Sequence, residues 1–360
     1  MKKTSARYHA TLLIMIVTIL LTACGQGKTL QEEVPVAPEL PEIEQQVEKP
    51  EHVAPLTGMP LEEPATGRPF AVMINNMSKA RPQSGLTHAD IVYEVLAEGG
   101  ITRLIAIYQS EEQFEGKIGP IRSIRPYLID IGESYNGVLV HAGGSPDAYA
   151  ILQKQRKDYM DEITNAGNYY WRDKSRKAPH NLYSDLAKLK EGAEKKKYAQ
   201  DAAIPAYPFL EEDSLPSGEE AKRIELQFLL KNYRVSYEYD EETKLYKRYI
   251  DGKPHIDLET EEQLTATNLV VLGADHKTLD DIGRLAINLE QGGEAVLFQR
   301  GKMIECRWSR APGDIIRISR DGRELPFYPG KTYYHIVPNS PTFDSHIVIP
   351  SSDNEEQSGT

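Results

Sequence analysis

Apolar residues along the chain fall in short runs bounded by turn residues, a pattern that predicts strands. Phe70–Asn75 reads as a buried strand after Arg68-Pro69, followed by Ile91–Leu96 and Thr102–Tyr108, with Gly99-Gly100 suited to a hairpin between these two. Gly119-Pro120 opens a loop that leads into a helix over 126–135. Another strand, 137–141, ends at Gly143-Gly144, and Ser145 before Pro146 supplies a cap and a first-turn residue for a second helix. Beyond 220 the pattern is strand-rich. The stretches 224–230 and 235–239 alternate, 244–250 could pair behind Asp240, and 268–272, 295–299 and 331–337 are short strands. Arg300-Gly301 and Asp321-Gly322 are hairpin-turn signals. These elements predict an α+β chain: an N-terminal mixed α/β domain over 55–198, a linker over 199–220, a β-rich C-terminal domain over 221–349 and a disordered tail over 350–360.

The amino end has a different character. Lys2, Lys3 and Arg7 precede an apolar run from Thr11 to Leu21, too short for a hydrocarbon core that needs roughly 20 residues. It fits the central region of a secretory signal. Leu21-Thr22-Ala23-Cys24 looks like a bacterial lipobox, which implies cleavage after residue 23 and a diacylglyceryl group on the Cys24 thiol. From Cys24 to 54 the chain reads as a disordered acidic, proline-rich tether, since residues 31–51 hold seven Glu and four Pro. The reading is a membrane-held protein facing outside the cytoplasm, anchored by lipid rather than by a spanning segment.

Charge narrows the partners. Formal net charge is −12, and −15 once the three basic residues of 1–23 are removed. That balance argues against broad binding to nucleic acid or an anionic bilayer. With Cys24 acylated, Cys306 has no disulfide partner; Ile304, Cys306 and Trp308 alternate onto one strand face, so Cys306 reads as core. No cysteine cluster, His-x-x-x-His spacing, calcium loop or phosphate-binding Walker loop is present, so neither a metal nor a cofactor is expected.

Three segments together are similar to the YerB family of bacterial lipoproteins: Arg68 to Asn76, Gly119-Pro120-Ile121-Arg122-Ser123-Ile124-Arg125-Pro126, and His141-Ala142-Gly143-Gly144-Ser145. Gly330-Lys331-Thr332-Tyr333-Tyr334, with Trp308 upstream, resembles the family's second domain. The resemblance implies an anchored two-domain protein and carries no established activity.

Candidate chemistry therefore rests on the residues. Arg122 and Arg125 lie three apart before a helix start, and Arg103 on the preceding strand could reach the same place. With Ser123, and with Arg172 in the aromatic and cationic stretch Tyr169–Asn181, they form a candidate site for a phosphate or carboxylate. His141 at a strand end, Asp147 as its possible orienting acid, and His180 are candidate catalytic groups. One function is a non-enzymatic envelope lipoprotein binding an anionic glycan, a lipid phosphate or a partner protein. A second is an enzyme acting on a phosphorylated lipid-linked glycan, since Arg103, Arg122-Ser123-Ile124-Arg125 and His141 fall in an order similar to that of the LytR–CpsA–Psr transferases. There Pro126 stands where that family has an acidic residue. A third is a scaffold for a membrane complex, using the tyrosine-rich second domain.

Overall fold

The computed structural model describes residues 50–110 and 114–350. The expected leader (1–23), Cys24, nearly all of the tether and the tail beyond 350 lie outside the described residues. Its main elements, in chain order, are β1 (Phe70–Asn75), β2 (Ile91–Leu96), β3 (Thr102–Tyr108), α1 (Pro126–Ser134), β4 (Val138–His141), α2 (Pro146–Lys154), β5 (Tyr159–Asp161) and α3 (Leu186–Lys195). There follow β6 (Arg223–Gln227), β7 (Arg234–Asp240), β8 (Leu245–Ile250), β9 (Asn268–Thr278), β10 (Leu285–Asn288), β11 (Gly293–Gln299), β12 (Lys302–Ser309), β13 (Arg317–Arg320) and β14 (Thr332–Pro338). The protein is β-rich, and the three α-helices among the described residues all fall between 126 and 195.

One large sheet carries strands from both halves of the sequence, in the order β13-β12-β11-β9-β14-β2-β3-β1-β4-β5. β14 pairs in parallel with β9 on one side and β2 on the other, in register Thr332 to Ile91 through Ile336 to Val95. β1, β4 and β5 are also mutually parallel, and β3 runs antiparallel between β1 and β2. Hence β1, β2, β4, β5, β9 and β14 all point the same way and end along one edge of the sheet.

β2 and β14 are buried along their whole length, and β9 as far as Ala274, as expected of parallel strands covered on both faces. Their side chains alternate between two cores. Val92, Leu269 and Tyr333 face a core shared with α3 and with Ile224, Val235 and Tyr246 of a smaller antiparallel sheet, β6-β7-β8. Tyr93, Val270 and Tyr334 face the other core, with Leu128 and Ile131 of α1 and Leu152 of α2. The expected boundary at 199–220 therefore does not separate two cores. That segment is an ordered strap: Tyr207 is buried with its hydroxyl 2.7 Å from Tyr135, and Leu210 N–H donates to Phe327 at 2.8 Å. Order also begins earlier than the tether's expected end, since His52–Val53 pairs with Pro60–Leu61 and Ala54 is buried.

Charged residues interrupt this apolar sheet where the halves meet. Glu94 on β2 sits opposite His335 on β14, both fully buried beneath the smaller sheet. Arg248 of β8 reaches Glu94 Oε2 at 2.6 Å. Thr102 Oγ1 and Asn76 Nδ2 donate to Glu94 Oε1 at 2.7 and 3.1 Å, and the Tyr233 hydroxyl donates to the same oxygen. Arg248 also donates to Tyr237 and, at 3.0 Å, to His255 Nδ1, while His255 Nε2 lies 2.7 Å from Gln83 Oε1. A buried charge is tolerable only when paired and hydrogen-bonded in this way.

Burial alone would raise the Glu94 carboxyl, but the Arg248 charge and the His335 and Thr102 hydrogen bonds hold it far below the ordinary carboxylate range. Burial, aided by Arg248, pushes the His255 imidazole well down, and burial also lowers His335. Both histidines are thus neutral when folded and take up protons when unfolded, below about pH 6.5. Stability is expected to fall on acidification in two stages, from about pH 6.5 through the histidines and from about pH 4.3 through Glu94. Urea unfolding between pH 8 and 3 measures this, with His255→Gln reducing the upper stage. Glu94→Ala, which strands Arg248 in the core, is expected to cost about 3–5 kcal/mol at pH 7.

Candidate functional site

The edge where the parallel strands end gathers most of the candidate residues. Crevices beyond the carboxyl ends of strands are where open α/β sheets place ligands. Between the ends of β1 and β4 runs the segment 119–125, held like a short extra strand. Asn75 N–H donates to Pro120 O (2.8 Å), Arg122 N–H to Met73 O (2.8 Å), Ala142 N–H to Arg122 O (3.1 Å) and Ile124 N–H to Gly143 O (3.0 Å). Gly119 has φ +148°, and a Cβ there would lie 2.7 Å from Leu182 O, so only glycine fits. Arg125 then stands at the N-cap position of α1 without a side-chain capping bond. The helix start adds little for an anion, because Pro126 in its first turn has no N–H to offer.

Three arginines converge on this segment. Arg103, at the start of β3, is 5% exposed and donates from Nη1 to Ser123 O at 2.6 Å, while its buried Nε has no partner among the described residues. Burial and the nearby Arg125 charge pull Arg103 down to about 10. Arg125 pairs through Nε with Glu98 and donates to Ile124 O at 2.7 Å. Burial opposes ionisation of Glu98, yet Arg125 holds it below the ordinary range. Arg122 is half-buried and has no carboxylate partner among the described residues, and its ionisation is lowered by burial and then by the Arg125 charge. Among the described residues a single carboxylate, Glu98, thus serves three guanidinium groups.

The remaining candidates separate. Ser123 gives its carbonyl to Arg103. Arg172 points outward and pairs with Glu162 at 3.2 Å, although its charge is still felt at Arg122. His180 belongs with the cluster: Asn75 Nδ2 donates to its Nδ1 at 2.9 Å, and burial, Arg122, Lys79 and Arg176 all disfavour its protonation. Of the rest of this stretch, Tyr170 and Asn181 are buried, Tyr169, Trp171 and Arg176 are half-buried, and Lys174, Ser175 and 177–179 are exposed. Tyr170 is buried and donates to Met160 O at 2.6 Å, and Arg176 fastens the Ala80 and Pro82 carbonyls at 2.7 Å each.

His141 requires correction. Its ring is fully buried, packs 5.6 Å from Tyr159, and lies 2.9 Å from Gly143 O through Nδ1. Asp147 does not orient it. That residue is exposed on the first turn of α2, and the nearby carboxylate is Asp161, 3.5 Å from Nδ1. Asp161 in turn accepts from Gly143 N–H (2.7 Å), the Tyr149 hydroxyl (2.8 Å) and Thr164 (2.8 Å). His141 and Asp161 therefore brace the turn at Gly143, while the buried His141 Nε2 has no hydrogen-bond partner among the described residues. The spacing of the sequence pointed to the near acid, whereas the parallel pairing of β4 with β5 delivers the far one.

Elsewhere, a cleft of about 600 Å³ at the seam of the two halves is lined by Asp90, Ser110, Arg300 and Lys331 among others. Its cations are matched, Arg300 by Glu212 and Lys331 by the field of Asp90. Cys306 is partly buried and burial raises its thiol to about 12, which fits an inert packing role. Among the described residues no group of three His, Cys, Asp or Glu could hold a metal ion, and no helix is long and apolar enough to cross a membrane.

Residues 56–199 match the family described as "Protein of unknown function (DUF3048) N-terminal domain", and residues 224–334 match its C-terminal domain. The chain is 40% identical over 289 residues to "Putative lipoprotein YerB" of Bacillus subtilis (strain 168), covering 79% of this chain and 86% of that protein. The chain belongs to the YerB family. The crystal structure of the YerB protein from Bacillus subtilis superposes with a TM-score of 0.76 at 38% identity, over 83% of this chain and 99% of that one. The YerB-family match thus spans both sequence halves, joined here by one sheet. An NMR titration of the intact protein is expected to show His141 uncharged at pH 7 with a midpoint near 4, as burial lowers it. A midpoint near 6.5 would mean that the ring is open to solvent.

Proposed function

We propose that this YerB-family protein is a lipid-anchored extracytoplasmic lipoprotein, tied to the membrane through Cys24, whose arginine notch binds an anionic, phosphate-bearing ligand of the envelope. The observation that carries the ligand reading is the charge imbalance of the notch. Among the described residues, Arg103 is buried with Nε bare, Arg122 lacks a carboxylate, and Glu98 alone offsets Arg103, Arg122 and Arg125. Like charges crowded at partial burial destabilise one another, and an arriving anion would accept their free N–H groups and relieve that repulsion. Guanidinium forks suit phosphate oxygens in particular. Support for the anchor comes from the lipobox-like Leu21-Thr22-Ala23-Cys24 and from the relative named as a lipoprotein. The transferase reading gains no support at His141, which is enclosed.

Two measurements test this reading. Calorimetric titration with inorganic phosphate is expected to show binding that Arg122→Gln weakens at least tenfold. The same substitution is expected to leave the ligand-free protein equally stable or up to about 1 kcal/mol more stable, because it removes a repelling charge. Unchanged affinity, or a large loss of stability, would make Arg122 a structural residue. Mass spectrometry of the membrane-extracted protein is expected to find a diacylglyceryl group on Cys24, and Cys24→Ser is expected to release the protein from the membrane fraction.

A further inference from the structure

Exposed aliphatic side chains gather beside the arginine notch. Leu229 is 54% exposed, Leu279 49% and Ile282 74%. Leu279 and Ile282 form the tip of the β9–β10 hairpin, where polar turn residues are the rule. That tip is held firmly: Gly283 N–H donates to Asp280 O at 2.9 Å, and Ile282 and Arg284 N–H both reach Asp280 Oδ1 at 3.1 Å. The side chains are thus presented to solvent by an ordered turn.

The hairpin tip and the Leu229–Leu230 loop both meet the turn at Glu98–Gly100, which joins β2 to β3. A Cβ on Gly283 would lie 3.8 Å from Gly99 N, and one on Gly100 would lie 3.1 Å from Leu230 and 3.6 Å from Leu229. Glu98, in the same turn, is the residue paired with Arg125. The apolar ledge and the cationic notch therefore share three consecutive residues, whose outer Cα atoms can be at most about 7 Å apart. An alkyl chain of modest length covers such a distance.

We infer that the anion held at the notch is the headgroup of a single phosphorylated lipid, whose hydrocarbon chain lies along the ledge formed by Leu229, Leu279 and Ile282. The inference rests on the anion reading above and specifies its ligand. Charge complementarity selects the headgroup, and the ledge selects the tail, since aliphatic side chains without an aromatic ring match hydrocarbon better than the face of a sugar. Asp281 at the hairpin tip and the net charge of −12 disfavour seating this face on an anionic bilayer, so the occupant is one lipid molecule. Each methylene buried on the ledge is worth roughly a factor of four in affinity.

The test uses the mature chain carrying Cys24→Ser, with inorganic phosphate, monomeric dodecyl phosphate and dodecyl maltoside as probes. Dodecyl phosphate is expected to bind at least thirtyfold more tightly than inorganic phosphate, and dodecyl maltoside at least tenfold more weakly than dodecyl phosphate. The pair Leu229→Ser and Ile282→Ser is expected to lower dodecyl phosphate affinity at least tenfold while leaving inorganic phosphate binding unchanged. Equal affinities for the two phosphates, or indifference to the serine pair, overturns the inference and leaves the anion site standing. Indifference of both phosphates to Arg122→Gln removes the anion site itself. Sedimentation with phosphatidylglycerol vesicles, without binding of the monomeric lipid, would instead make this face a membrane-contact surface.

Discussion

The buried ion pair between Glu94 and Arg248 is the constraint around which the two halves of this protein are fitted. Two charges removed from water cost several kcal/mol each, and only close pairing with full hydrogen bonding offsets that cost. Glu94 comes from the first half of the sequence and Arg248 from the second, while His335 lies beside Glu94 on the adjoining strand. None of these groups can be satisfied until β2, β8 and β14 are all in place. The pair therefore adds specificity to a sheet whose apolar strands could otherwise slip, since a shift by one residue would turn Glu94 into the opposite core, away from Arg248.

The notch uses the same scaffold in the opposite sense. In the core every charge finds a counter-charge or a hydrogen bond, whereas at the strand ends cations are packed with too few acids. Such an arrangement persists only because β1 and the turn after β4 fix the backbone of 119–125 from both sides. The rigid sheet bears the repulsion, and the loop side chains present it to solvent. Structures that hold a frustrated group in place in this way are often preorganised for what will relieve it.

Much of the local structure was legible in the chain. Phe70–Asn75, Ile91–Leu96 and Thr102–Tyr108 form as their apolar runs predict, α1 begins at Pro126, and the Ser145 hydroxyl caps α2 by accepting from Ala148 N–H at 3.2 Å. The arginines of the notch were legible because Arg122 and Arg125 share one short loop. Spacing could not show how the halves join, since parallel pairing of β14 with β2 links residues some 240 positions apart and leaves no local signature. The lone Glu94 within Ile91–Leu96 and the lone His335 within Thr332–Pro338 were the visible hints, each a polar residue in an otherwise apolar strand. Asp161 and Glu98 were missed for the same reason, because their partners are set by strand order and not by distance along the chain.

The position of β14 has a consequence for how the chain reaches its native state. This strand follows every other strand of the large sheet in chain order, yet it lies in the middle of that sheet with β9 and β2 on its flanks. Until residue 338 is available, β2 and β9 each carry an unpaired, strongly apolar border, the kind of surface that invites wrong partners. Closure is consequently a late, long-range event, slow by the usual relation between topology and rate. A product that stopped before residue 332 would lose the middle of the sheet and not merely an edge.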